Sequence, residues 1–113
     1  MRYKRSATDT TGIIRIINAL YADYERREKE IRTGKNRINR FYELNNTLKA
    51  SVDLTCEASI RDGMLFDLCH DIGYERSSLA MIMSHKTYYA RKKAAKLEAA
   101  RRLGLLESPI VKK

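Results

Sequence analysis

Proline is all but missing from this chain: Pro109 is the only one, and five glycines complete its stock of tight-turn residues. That scarcity disfavours a fold of hairpins, which needs turn residues between its short strands. No apolar stretch approaches the ~18 to 20 residues of a membrane-spanning helix. The opening Met1-Arg2-Tyr3-Lys4-Arg5 has the charge of a secretion signal. The run behind it, Ile13 to Asn18, is broken by Arg15 and Asn18, and no small-residue cleavage site follows. A cytoplasmic protein that engages no membrane is expected. Cysteine is scarce too. Cys56 and Cys69 stand far apart, and His70 and His85 do not give them the paired spacing of a metal site, so two reduced cysteines packed on helices are expected and no metal. A Gly-rich phosphate loop, a His-Glu-x-x-His pair and a nucleophile elbow are all lacking, so neither catalysis nor a cofactor is expected. Asp62, Asp67 and Asp71 invite a carboxylate cluster, but their spacing places them on the solvent side of a short amphipathic helix.

What is present points elsewhere. The 113 residues, 43% hydrophobic and 33% charged, suit one small domain or a domain with a helical extension. A formal net charge of +9 favours a polyanionic partner, although charge alone does not separate DNA, RNA, an anionic membrane or plain solubility. Its distribution says more. Between His85 and Arg102 seven cations face the single acid Glu98, a net of six and two-thirds of the whole excess. Residues 61–75 hold Asp62, Asp67, Asp71 and Glu75 against Arg61 alone. A basic element beside an acidic one describes a face with a direction.

The expected fold is all-α: a helical N-terminal half followed by a C-terminal helix-turn-helix. Residues 1–8 read as a flexible basic arm and 107–113 as a tail. Asp9, Thr10 and Thr11 offer N-caps for one long first helix. Its apolar stripe runs Ile13, Ile17, Leu20, Tyr24, Ile31, widened by Ile14 and Tyr21, and Gly34 stops it. The near-3.5 period of that stripe suits helix–helix packing within or between chains; a homodimer through these five residues is the expectation. A second helix starts near Asn36, its register blurred by the weak helix former Asn45-Asn46-Thr47, with a break near Ser51 and a further helical turn or two over 52–60. The N-terminal region spans 9–58 and the helix-turn-helix region 59–106.

From Ser59 onward the pattern sharpens. Met64, Leu65, Leu68 and Ile72 form a stripe ending at Gly73, a natural C-terminal residue. Ser77 to Met83 makes a supporting helix of about two turns, Ser84 caps the next, and Gly104 stops that one after Arg102 or Leu103. Leu105 and Leu106 can fold back on the core. Short helix, tight turn and long basic helix is the helix-turn-helix arrangement, whose second helix meets base edges with its first turns. Lys86, Thr87 and Tyr89 are then the base-facing set, and Arg91, Lys92, Lys93 and Lys96 the phosphate set. Tyr88 belongs to the core, in one row with Ala95, Ala99 and Leu103.

Gly73 to Ser77, Met83 to Lys93, Lys96-Leu97 and Leu103 to Leu106 together resemble the ArpU-like phage transcriptional regulators. The likeness covers roughly residues 59 to 106 and is most specific over Ser84 to Lys93. It implies a sigma-factor-like helix-turn-helix that controls late genes of a phage or prophage, usually as an activator. Double-stranded DNA is the implied partner and host RNA polymerase a candidate one. With Arg76 and Ser77 from the resembling stretch, the DNA-binding set is Arg76, Ser77, Lys86, Thr87, Tyr89, Arg91, Lys92, Lys93 and Lys96. Two rivals remain: a small terminase subunit, disfavoured because the DNA-binding signal is C-terminal here, and a protein-interaction module such as an anti-repressor.

Overall fold

The computed structural model describes residues 7–34 and 39–106. Residues 1–6 of the expected arm, residues 35–38 where the second helix was to begin, and the tail with Pro109 lie outside the described residues. The chain is all-α, with no strand among the described residues. Five helices carry it: α1 (Ala7–Ala22), α2 (Tyr24–Thr33), α3 (Asn39–Thr55), α4 (Arg61–His70) and α5 (His85–Arg102). Ala7 and Thr8, expected in the arm, are helical.

The single long first helix is divided at Asp23, whose backbone (φ −99°, ψ 5°) leaves the helical basin. Aspartate favours helix starts over helix interiors because its short side chain competes for local donors. Here the carboxylate accepts from Arg26 Nε at 2.8 Å and stands 3.7 Å from Arg27 Nη1. The bonds Asp23 N to Ala19 O and Arg27 N to Asp23 O bridge the break, so the chain bends there without stopping. Gly34 ends α2 as expected, at φ 70°, its N–H donating to the Ile31 carbonyl.

The second helix carries no break at Ser51. Asn45 is buried, and its amide accepts from Arg27 Nε at 2.7 Å and donates to the Tyr24 carbonyl at 3.1 Å. Ser51 donates to Thr47 O inside its own helix. A tertiary partner thus takes the Asn45 side chain, and the Ser51 hydroxyl is satisfied within its own helix. At the other end of the molecule, α4 turns off at Asp71 (φ 54°), and Gly73, the expected left-handed residue, is extended. The supporting helix is also corrected. Tyr74–Arg76 and Ser78–Met81 form two short 3₁₀ turns, and a further 3₁₀ turn, Ala58–Ile60, leads into α4.

Helix α5 lies at the centre, packed on α3 and α1, while α2 packs on α3 and α1 on α4. Ala95, Ala99 and Ala100 are fully buried along it; side chains this small let neighbouring backbones approach closely. One apolar cluster joins Ile17, Tyr21, Leu48, Val52, Met64, Leu79 and Tyr88. It spans the expected boundary at residue 58, so the two regions share a core. The first-helix stripe is used inside the chain: Ile17 and Tyr24 are buried, Ile13 and Leu20 pack against the cluster, and Ile31 is half-buried. At the C-terminal end Leu105 N and Leu106 N both donate to the Ala100 carbonyl. Leu106 then packs on the core, and Leu105 stays exposed.

Asp67 departs most from its expected place. It is 2% exposed, on the core side of α4, where Ser77 Oγ donates to Oδ2 and the Tyr88 hydroxyl stands 2.8 Å from the same oxygen. Removing a buried acceptor leaves its donors unsatisfied, so Asp67→Ala should cost about 2–3 kcal/mol. Exposed Asp62 provides the contrast: Asp62→Ala should stay within ~0.5 kcal/mol. Urea denaturation midpoints of the two variants check both figures, and equal midpoints would contradict the burial.

Candidate nucleic-acid interface

Ser84 sits in an extended conformation before α5 and its Oγ accepts from Thr87 N at 3.1 Å, the expected cap. At 3.6 residues per turn, Tyr88, Lys92, Ala95 and Ala99 then face the core. The opposite side of the first turns, His85, Lys86, Tyr89, Ala90 and Lys93, is exposed. The two tyrosines divide as expected, Tyr88 at 0% and Tyr89 at 39% exposure.

Tyr89 is nonetheless held in place. Its hydroxyl oxygen accepts from Tyr74 N at 3.1 Å, which leaves the hydroxyl hydrogen available to an outside acceptor. A Cβ at position 73 would come within 3.3 Å of that oxygen, so this glycine serves close approach rather than a turn. Tyr74, His85, Tyr88 and Tyr89 form a chain of edge-to-face rings with centroids 4.8 to 5.4 Å apart. This cluster fixes the amino end of α5 to the 3₁₀ turn Tyr74–Arg76.

The cations of α5, alike in sequence, occupy five different environments. Lys86 and Lys93 are exposed, and no protein partner meets either among the described residues. Arg101 and Arg102 both pair with Glu98, at 3.0 and 3.1 Å. Arg91 is gripped by Glu57, Nε to Oε1 at 3.0 Å and Nη2 to Oε2 at 2.8 Å. Lys92 is buried: its Nζ donates to the Ile72 carbonyl and stands 5.3 Å from the Tyr88 ring centroid. Burial lowers the Lys92 pKa below its usual value, with Asp67 and Asp71 opposing that shift. Placed so, its ammonium group is committed to that carbonyl rather than offered to a phosphate.

Lys96 is half-buried in a groove of about 520 Å³ between α1 and α5, lined also by Ile14, Asp71, Gly73, Tyr89, Lys92 and Lys93. Its pKa is lowered by burial first and by neighbouring Lys92 second, with Asp71 opposing. An ammonium group in that setting gains from an anion entering the groove. Arg76 is exposed. Ser77 is not: it is buried, its Oγ accepting from Leu79 N and donating to Asp67, so it caps a 3₁₀ turn. Thr87 is half-buried, with its oxygen accepting from Ser84 at 3.0 Å.

Sequence reasoning missed two features of this surface. Met81 and Ile82, assigned to the supporting helix, stand 89% and 62% exposed just before the cap. Their hydrophobicity gave no signal that they would face out. Glu57 was not singled out, because its partner Arg91 lies 34 residues away.

The Glu57 carboxyl is held down at about 2, chiefly by the Arg91 hydrogen bonds and then by its own backbone N–H. The pairing is therefore complete above the ordinary value of 4.5 and lost as pH falls toward 2. A carbon-detected NMR titration should place the Glu57 midpoint near 2, and Arg91→Ala should return it most of the way to 4.5. An unchanged midpoint in the variant would show that another group holds the carboxylate.

The chain matches no protein-family model, no curated protein and no solved structure. Its interface geometry therefore carries the functional argument.

Proposed function

We propose that this chain is a sequence-specific transcriptional regulator that binds double-stranded DNA in the cytoplasm, without catalysis, by laying the first turns of α5 in the major groove. The observation that carries this reading is the exposed stripe of His85, Lys86, Tyr89, Ala90 and Lys93 on a capped helix whose other side, Tyr88, Lys92, Ala95 and Ala99, is buried in the core. A helix presented in this way fits a groove about 12 Å wide. Lys86 donates to guanine acceptors near the helix start, and the Tyr89 hydroxyl hydrogen reaches a base or a phosphate. The Ala90 methyl meets a thymine methyl and is small enough for close approach. Lys93, Lys96 and the exposed Arg76 take backbone phosphates, which orient the protein without reading sequence.

The likeness of Ser84 to Lys93 to the ArpU-like regulators supports a role in late-gene control of a phage or prophage, with host RNA polymerase as a further partner. Double-length operators are commonly read by paired copies. Pairing through Ile13, Ile17, Leu20, Tyr24 and Ile31 would compete with their packing inside the chain, so a homodimer of this regulator would form through another surface.

Selection of duplexes from a random pool tests the reading directly: a regulator enriches one sequence above a salt-sensitive background. A protein-interaction module, an anti-repressor for instance, enriches none. Among variants, Lys93→Ala should weaken binding to all duplexes alike and reduce the salt slope by about one unit. Lys86→Ala should relax the preference at one position. Lys92→Ala should lower the melting temperature and leave the salt slope where it was. A slope lost with Lys92 and kept with Lys93 would reverse the assignment of the two lysines.

A further inference from the structure

The second flank of α5 is built differently from the first. On the groove side Tyr89, Lys93 and Lys96 await an anion, as described above. On the other side Thr87 and Arg91, one turn apart, face the 3₁₀ turn Ala58–Ile60. There Glu57, Ser59, Ile82, Ser84 and Thr87 line a hollow of about 530 Å³ beside the amino end of α5. A helix amino end carries partial positive charge and attracts anions. The anion at hand is the protein's own: the Glu57 carboxylate, bound through both oxygens to the fork of Arg91.

Carboxylate and phosphodiester are the two groups that the guanidinium fork binds with two parallel hydrogen bonds. Neither partner here is fixed by burial, the side chains being 57% exposed for Glu57 and 35% for Arg91. Both side chains are open to solvent, so a competing anion can reach the pair. Its position is more telling. A helix in the major groove runs between two phosphate backbones, and only one flank of α5 shows accessible cations.

We propose that Arg91, with the Thr87 hydroxyl beside it, is a second backbone-phosphate subsite that Glu57 fills in the free protein. A duplex phosphate displaces the carboxylate and takes over the same fork. The inference rests on the DNA-binding reading and adds regulation to it. With the pair closed, the helix shows a weaker field to polyanions at large; only a duplex seated on the other flank brings a phosphate to Arg91. Glu57 thereby lowers binding to all sequences and raises the share of affinity that correct docking must supply.

The experiment is a two-residue cycle, with duplex binding measured over a range of salt concentrations. Glu57→Gln should tighten binding to specific and random duplexes alike, roughly three- to tenfold, with little change in the salt slope, because Arg91 meets one phosphate in either protein. Arg91→Ala should weaken binding, and adding Glu57→Gln to it should change nothing. At neutral pH, the Arg91 Nε–H resonance of the wild type should move when duplex is added. Three results overturn the subsite: no effect of Glu57→Gln, weaker binding by it, or the same tightening in the Arg91→Ala background. The last would mean that Glu57 repels DNA through its charge alone. A wild type that shows no salt-dependent duplex binding fails earlier, and removes the DNA reading along with the subsite.

Discussion

A carboxylate buried in a small helical core must be matched by donors, and the positions of those donors decide how the C-terminal half is assembled. Asp67 is that group. Ser77 reaches it from the 3₁₀ turn that replaces the supporting helix, and Tyr88 reaches it from α5. Tyr88 also stands 3.0 Å from the Ile72 carbonyl, which accepts from Lys92. One junction thus ties the end of α4, the loop behind it, the 3₁₀ turns and the second turn of α5. Ion-dipole bonds of this kind have demanding geometry, so they set the rotation of α5 about its axis. That rotation in turn determines which residues form the exposed stripe.

The same junction explains why a helix with a net six positive charges shows few of them. Tyr88 and Lys92 follow each other at helical spacing on the inward side. Lys92 can enter the core because a carbonyl accepts from it and Asp67 and Asp71 oppose the cost of burial. Glu98 answers Arg101 and Arg102 from one turn before, and Glu57 answers Arg91 from the end of α3. Lys86 and Lys93 meet no protein partner among the described residues, and Lys96 lines the groove. Phosphate affinity and its salt dependence follow the number of cations that a partner can neutralise, and that number is far below the count in the sequence.

Packing between the halves of the chain has a functional side as well. Helix α1 supplies one wall of the groove that holds Lys96, through Ile14. Helix α3 and the residues after it supply Glu57 for the other flank. The N-terminal half therefore bounds the α5 surface on both sides, which is why residues 9–58 cannot be treated as an appendage to a free-standing helix-turn-helix.

Local chemistry alone was enough to read the all-α class, the Ser84 cap, the stops at Gly34 and Gly104, and the inward Tyr88 beside an outward Tyr89. Each rests on neighbours within a turn or two: a hydroxyl three residues from an N–H, a left-handed glycine, a 3.6 period. What only tertiary structure decided involves partners far apart in the chain. Helix α3 continues through Asn45 because Arg27 occupies its amide, and the supporting helix yields to 3₁₀ turns where Ser77 must reach Asp67. Acid and base patterns marked Asp67 and Lys92 as surface charges. A buried network whose bonds join residues 10 to 21 apart reverses that reading, since a helix period gives the direction of a side chain but not the donor that waits there.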